Sequence, residues 1–245
     1  MKSKLTFLLL FFTVLPFPAL ASWQKIDRGL YYQKLEIQKK SVPYTIHTFQ
    51  INPTYYDLKP ILQEPIKTTS IRSLVEKSGA LLGVNANFFD PTGKPLGLVM
   101  KNGKVISAKK DISWWGIFSM EKNKAKIVHS SDWSSKNHPD VAFQAGPRLV
   151  VAGRVPALKD ESSQKTAIGI NRKGHIILLV TYYPLSIREL AQLMSLPESK
   201  GGLDCNYALN FDGGSSSQLY AKIGDFELKV PSFVGVPVGL GVFRK

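Results

Sequence analysis

The sequence predicts an α+β fold over residues 22–245, a single domain dominated by β-sheet with a few short helices. Three observations lead there. Short runs of β-branched, aromatic or alternating residues recur along the chain, bounded by Gly, Pro and Asn turn signals. Two segments, 70–78 and 186–194, carry a helical apolar face. Hydrophobic residues make up 44% of 245 positions, enough for a sizeable core, and no repeat or low-complexity linker divides the chain.

Residues 1–21 stand apart. Lys2 and Lys4 precede an apolar run from Leu5 to Val14, and Ala19-Leu20-Ala21 puts small residues where a signal peptidase reads. The run is short for a membrane span, and Pro16 and Pro18 interrupt it. A signal peptide cleaved after Ala21 is expected, with export to the periplasm or the exterior and no transmembrane helix after its removal.

The domain elements follow in order. Tyr44–Phe49 alternates and reads as a strand that Asn52-Pro53 ends. Ser70–Ser78 reads as a helix with Ile71, Leu74 and Val75 on one face and Gly79 as its stop. Ala80–Asn85 is an apolar run, a buried strand. Leu96–Met100 and Lys104–Ala108 flank Asn102-Gly103, the signature of a type I′ hairpin. Ala167–Ile170 and His175–Thr181 flank a second hairpin turn. Ser186 and Glu189 have capping-box spacing, followed by Ile187, Leu190, Leu193 and Met194 on one face, with Pro197 as the end. Tyr207–Phe211 is a strand with Tyr207, Leu209 and Phe211 on one face, and Val236–Phe243 a closing strand. Ser130–Pro139 reads as a polar loop.

Composition narrows the function. One Cys makes no internal disulfide and no Cys-based zinc cluster, and four scattered His give no multi-His site. Without Lys2 and Lys4 the chain keeps 30 basic residues against 18 acidic, a net charge of +12. Such a balance suits an anionic partner (an anionic glycan or sugar-phosphate, an envelope polymer or lipid head groups), or serves only solubility. The basic residues form no helical stripe and no nucleic-acid motif, so nucleic acid is not an expected partner. HExxH, P-loop, GxSxG and dinucleotide patterns are absent, and no organic cofactor is indicated. A divalent metal stays open, with Asp212 and Asp90 as candidate oxygen ligands.

Four segments carry candidate chemistry. Asn210-Phe211-Asp212-Gly213-Gly214-Ser215-Ser216-Ser217 ends a strand. Asn210 and Asp212 share a face, the glycines permit close backbone approach, and a carboxylate there is either a base or nucleophile or the cap of its own turn. Asn85-Ala86-Asn87-Phe88-Phe89-Asp90 pairs two amides suited to sugar hydroxyls with rings suited to stacking, and Asp90 opens a reverse turn. Gln144-Ala145-Gly146-Pro147-Arg148 offers a planar guanidinium for phosphate. Lys165-Thr166-Ala167-Ile168-Gly169 places a cation at a hairpin entrance, to meet an anion or guard an edge.

In order and spacing these segments resemble the phosphodiester glycosidase family. The family runs Asn-Ala-Gly-Phe-Phe, Gly-Pro-x-Leu-Val, Arg-Thr-Ala-Ile-Gly, a helix, then Asn-Leu-Asp-Gly-Gly-Gly-Ser. Here the matching segments are 85–89, 146–150, 165–169, 186–194 and 210–216. Asn87 stands where the family has Gly, Lys165 where it has Arg, and Ser215 where it has Gly. The resemblance implies hydrolysis between a sugar anomeric carbon and a phosphodiester oxygen. It makes Asp212 the base or nucleophile, with Lys165 and Asn210 beside it. It has Lys165 and Arg148 hold phosphate, and Asn85, Asn87 and Asn210 orient sugar hydroxyls. Phe88, Asp90, Gly146, Thr166, Gly213, Gly214, Ser215 and Ser216 complete the expected substrate-binding set. Two other readings are an ordinary glycosidase on envelope polysaccharide, using Asp90 and Asp212, and a glycan-binding protein without turnover.

Overall fold

Strand pairing is antiparallel throughout the sheets of this computed structural model, which describes residues 22–39, 42–134 and 139–245. The expected signal peptide lies outside the described residues. The largest sheet has seven strands in the order Gln24–Asp27, Leu30–Lys39, Val42–Ile51, Ile176–Thr181, Thr166–Asn171, Cys205–Asn210 and Arg148–Val150. A second sheet orders Lys104–Ser107, Val99–Lys101, Val141–Ala145, Gly116–Glu121 and Lys124–His129. A third orders Phe226–Val230, Leu219–Ile223, Leu82–Asn85, Gly239–Arg244 and Tyr56–Ile61. A short ribbon, Ser162–Ser163 with Leu185–Ser186, crosses beside the large sheet.

The large sheet is buried on both faces, which is why its central strands read as near-continuous apolar runs. Ile168, Leu178, Val180, Leu209 and Phe211 point into the main core, where they meet Phe118 and Phe143 of the second sheet and Val84 and Leu240 of the third. The alternate residues Ala167, Ile177, Leu179 and Ala208 pack under the helix Ile187–Ser195 through Leu190, Ala191 and Met194. The helix Ile71–Ser78 covers the outer face of the third sheet through Ile71, Leu74 and Val75.

Both helices form where the sequence places them. Ser70 Oγ accepts from Ser73 N at 3.2 Å, and Gly79, at φ 73°, ends the first helix. Ser186 and Glu189 make the full capping box: Glu189 N donates to Ser186 Oγ at 3.2 Å, and Ser186 N to Glu189 Oε2 at 2.9 Å. Asn102 and Gly103 take φ of 51° and 74°, as a type I′ turn requires. The sheet-dominated expectation holds, while the α+β label fits only roughly, because the two α-helices among the described residues are eight and nine residues long.

The strand list from sequence is incomplete. Gln24–Asp27, Leu30–Lys39, Tyr56–Ile61, Gly116–Glu121, Lys124–His129, Val141–Ala145, Leu219–Ile223 and Phe226–Val230 are further strands. Val141–Ala145 is buried at every position and therefore has no polar alternation to reveal it. In the expected 130–139 loop, Ser130–Asp132 forms a single 3-10 turn. Removing the second helix's cap with Ser186→Ala should cost about 1 kcal/mol, seen as a lower urea midpoint at unchanged slope.

Candidate active site

Three strand ends meet at Asn85. This residue is fully buried at the end of Leu82–Asn85 in the third sheet. Its Nδ2 donates to the Asp212 carbonyl at 2.7 Å. Its Oδ1 accepts from the Thr166 hydroxyl at 2.7 Å and from Gln218 N at 3.0 Å. Asp212 N in turn donates to the Ala86 carbonyl at 2.9 Å. One amide thus ties the third sheet to the hairpin entrance and to both sides of the Gly-Gly turn.

Register then sets the two candidate ionisable groups. Ala167 pairs with Asn210, and Phe211 N donates to the Thr166 carbonyl at 2.8 Å. Continuing that register puts Lys165 opposite Asp212, on the sheet face that Ala167, Ala208 and Asn210 share. Lys165 is 2% exposed, and its ion-pair partner is Glu161, with Nζ 4.0 Å from Oε1. Burial pulls the Lys165 ammonium below the ordinary lysine range, partly offset by Glu161 and Asp160. Burial pushes the Asp212 carboxyl up, against the opposing effect of bonds from the Ser216 hydroxyl and Gly213 N. A cation and a carboxylate, each displaced toward neutrality, stand on adjacent strands.

Beside them three buried polar atoms have no hydrogen-bond partner: Asn87 Oδ1, Asn210 Oδ1 and Trp115 Nε1. All three abut the segment 144–146. Asn87 Nδ2 donates to the Gln144 carbonyl at 3.0 Å and Asn210 Nδ2 to the Gly146 carbonyl at 3.1 Å. A Cβ on Gly146 would lie 2.7 Å from Trp115 Cδ1, so only glycine admits the indole here. Phe88 stacks on Trp115 with centroids 5.0 Å apart. Gln144 itself is saturated. Its Oε1 accepts from Leu98 N and Lys110 N, and its Nε2 donates to the Lys110 carbonyl and Ser130 Oγ.

Two clefts are divided by residues 161–164, which lead into Lys165: Glu161 lines one and Gln164 the other. One, of about 450 Å³, is lined by Trp114, Pro147, Leu158, Glu161 and Ile187. The other, of about 410 Å³, is lined by Gln164, Thr181, Gly214, Ser215 and Ser217 together with Tyr182, Tyr183 and Phe233. Gly213 lies directly under the dividing segment: a Cβ there would sit 2.8 Å from the Gln164 carbonyl oxygen.

A family model for phosphodiester glycosidases matches residues 78–243, a span that contains every group just described. The chain belongs to the phosphodiester glycosidase family. Its fold is that of two solved structures. One is the zebrafish N-acetylglucosamine-1-phosphodiester alpha-N-acetylglucosaminidase catalytic domain, auto-inhibited by its pro-peptide, with TM-score 0.69 and 15% identity over 92% of this chain and 87% of that one. The other is a hypothetical protein from Synechocystis, with TM-score 0.66 and 16% identity over 94% of this chain. This chain spans just under two thirds, 64%, of the Synechocystis protein. No curated protein matches the sequence.

Within this phosphodiester glycosidase domain, the expected site residues divide. Asp212, Lys165, Asn210, Asn87, Gly146, Gly213, Gly214, Ser215 and Ser216 gather at one end of the large sheet. Asn85 and Thr166 are there too but turned inward, bonded to one another, and face neither cleft. Arg148 is not brought to Lys165. It pairs with Leu209, whose side chain is in the main core on the opposite sheet face, and it lines a separate cleft of about 500 Å³ with Lys126, His129 and Arg172. Asp90 is engaged in its own turn. Its Oδ1 accepts from Thr92 N, Thr92 Oγ1 and Lys94 N, and these bonds hold its carboxyl below the ordinary range. Among the described residues, no group of three or more His, Cys, Asp and Glu converges as a metal site would, so the Asp212 and Asp90 metal reading gains no geometric support.

Gln144, Trp115, Glu161 and Ser217 were not among the expected site residues. The Trp114-Trp115 pair, half of the four Trp in the chain, was the available signal. Asn85→Ala would leave the Thr166 hydroxyl, the Asp212 carbonyl and Gln218 N without their partner. It should lower stability by roughly 3 kcal/mol, read from urea denaturation.

Proposed function

We propose that this protein is an exported hydrolase that cleaves a sugar-1-phosphodiester, releasing free sugar and a phosphate monoester. The reading rests on a buried cation, Lys165, and a carboxylate of raised proton affinity, Asp212, standing just beyond the ends of two paired strands, where continued register sets them opposite one another. In the reaction, a water oxygen bonds to the anomeric carbon as the C1–O bond breaks, and the proton that water sheds passes to Asp212 and on to the departing phosphate or solvent. The phosphate monoester leaves with that electron pair. Phosphate is a good leaving group and asks little of a proton donor, but charge builds on its oxygens. Lys165 is the group to offset that charge, exchanging its Glu161 contact for the phosphate. Asp212 acts at the anomeric carbon as base or nucleophile, its carboxylate oriented by Gly213 N and Ser216. Asn87 Oδ1 and Asn210 Oδ1 are free acceptors for sugar hydroxyls, and Trp115 Nε1 a free donor. An ordinary glycosidase would need a second carboxylate. Asp90, whose Oδ1 takes three bonds in its own turn, is poorly suited to that part.

The position of bond cleavage has a direct readout. In water enriched in heavy oxygen, hydrolysis of a sugar-1-phosphodiester should place the label in the sugar. Label in the phosphate would refute a glycosidase step. Asp212→Asn should lower turnover about a thousandfold, within the range of a positioned acid–base group. Phosphorus NMR of diester against monoester measures it.

The pH dependence follows from burial. Asp212 must be ionised, and its carboxyl is pushed up, so activity should fall on the acid side at a pH above that of an ordinary aspartate. Lys165 must be charged, and its ammonium is pulled down, so the alkaline fall should come below that of an ordinary lysine. Lys165→Arg should move only the alkaline limb outward, because guanidinium keeps its charge. An alkaline limb that Lys165→Arg leaves in place would remove Lys165 from this role.

A further inference from the structure

We infer that the 410 Å³ cleft beside Ser215 is a saccharide subsite, and that the substrate therefore extends at least one sugar beyond the bond that is cleaved. This rests on the hydrolase reading for the position of that bond. The cleft itself is argued from its own walls. Tyr182, Tyr183 and Phe233 line it with exposures of 51%, 38% and 110%. Large apolar rings exposed together in a concave site mark a binding surface more often than a solvated one.

These rings are held, not loose. Tyr183 stacks on Tyr44 with centroids 5.0 Å apart and meets Tyr182 edge-on at 5.2 Å. Phe233 sits on a loop pinned on both sides of it. Ser232 Oγ donates to the Ser215 carbonyl, Val234 N donates to Ser232 Oγ at 3.0 Å, and Gln218 Nε2 donates to the Val234 carbonyl at 2.7 Å. A fixed loop that still holds its Phe fully in solvent presents that ring to something.

The polar wall selects the occupant. Gln164, Thr181, Ser215 and Ser217 line the same cleft, and Ser217 Oγ is buried without a partner. Ring faces next to hydroxyl and amide groups match a pyranose, which has C–H faces and hydroxyl edges. A lipid chain would leave Ser217 unsatisfied. Gly214 and Ser215 belong to the turn that carries Asp212, so an occupant of this cleft lies against the same turn that the hydrolase reading makes reactive.

The test is calorimetric titration of the 22–245 protein with neutral hexasaccharides of glucose and of N-acetylglucosamine. Binding of at least one is expected, weakened roughly tenfold by Phe233→Ala and by Tyr182→Ala, as loss of one aromatic contact allows. Unchanged thermal unfolding of Phe233→Ala would confirm that the ring, fully exposed, serves no folding role. Asp212→Asn should bind these chains like the parent, which separates this inference from the hydrolase reading: hexasaccharide binding by a parent protein that turns over no sugar-1-phosphodiester would sink that reading alone. No binding by either hexasaccharide, or equal binding by parent and both aromatic variants, would overturn the subsite. So would capture of the parent by phosphatidylglycerol vesicles, abolished in Phe233→Ala, which would make the rings a membrane contact.

Discussion

The Asn85 side chain is the constraint on which the rest of the site depends. Leu82–Asn85 lies in the third sheet, Thr166 opens a central strand of the large sheet, and Asp212 lies beyond the end of its neighbour. These segments are far apart in sequence and in two different sheets. Hydrophobic packing brings the sheets together but sets position only loosely. A buried amide with three bonds of 2.7 to 3.0 Å fixes the junction to hydrogen-bond tolerance. That tolerance is what a carboxylate aimed at one substrate atom needs, because rate falls steeply with small displacements. The neighbouring bond from Asp212 N to the Ala86 carbonyl makes the junction two-sided, so the backbone of the reactive residue cannot slide along the ladder.

Given that junction, the shifted proton affinities of Lys165 and Asp212 come from exclusion of water. An ammonium held at 2% exposure with only a 4.0 Å contact to an exposed carboxylate is poorly compensated. The fold tolerates this because residues 161–164 lie over the sheet end, which requires Gly213 to have no side chain. The same cover keeps the Asp212 carboxyl from full hydration. A phosphate dianion or diester entering from either cleft would supply the counter-charge that Lys165 lacks. In the proposed reaction this charge balance supports an anion over a neutral sugar, and Glu161 is the group such an anion would displace.

The sequence made part of this visible. Helix caps, the Asn102-Gly103 turn and the strand ending at Asp212 were legible because each depends on residues within a few positions of one another. Val141–Ala145 and the outer strands of the large sheet were not, since their formation depends on partners elsewhere. The site followed the same division. Asp212, Lys165 and the Gly-Gly turn stood out as local motifs. Arg148 was grouped with Lys165 by motif order. Its pairing with Leu209, ahead of a register shift within Arg148–Val150, puts it on the other face of the sheet, and no spacing argument within one segment fixes that face. Asn85 was recognised as polar at a strand end. Its role as a tie between sheets lies in Thr166 and Gln218, about 80 and 130 residues away.

The amides at this end of the molecule sort by satisfaction. Asn85 and Gln144 have every principal bond made within the protein, and both hold segments together. Asn87 and Asn210 spend their Nδ2 groups on carbonyls and leave Oδ1 buried and bare. Each bare acceptor costs roughly 1–3 kcal/mol of folding stability, and native proteins keep few of them. Two acceptors and the Trp115 donor around one three-residue segment are a concentrated cost. A ligand that brings donors to the amides and an acceptor to the indole would recover that cost. A sugar hydroxyl brings both, and a hydrocarbon brings neither. These three atoms lie near the buried carboxylate and the buried ammonium that the proposed reaction uses.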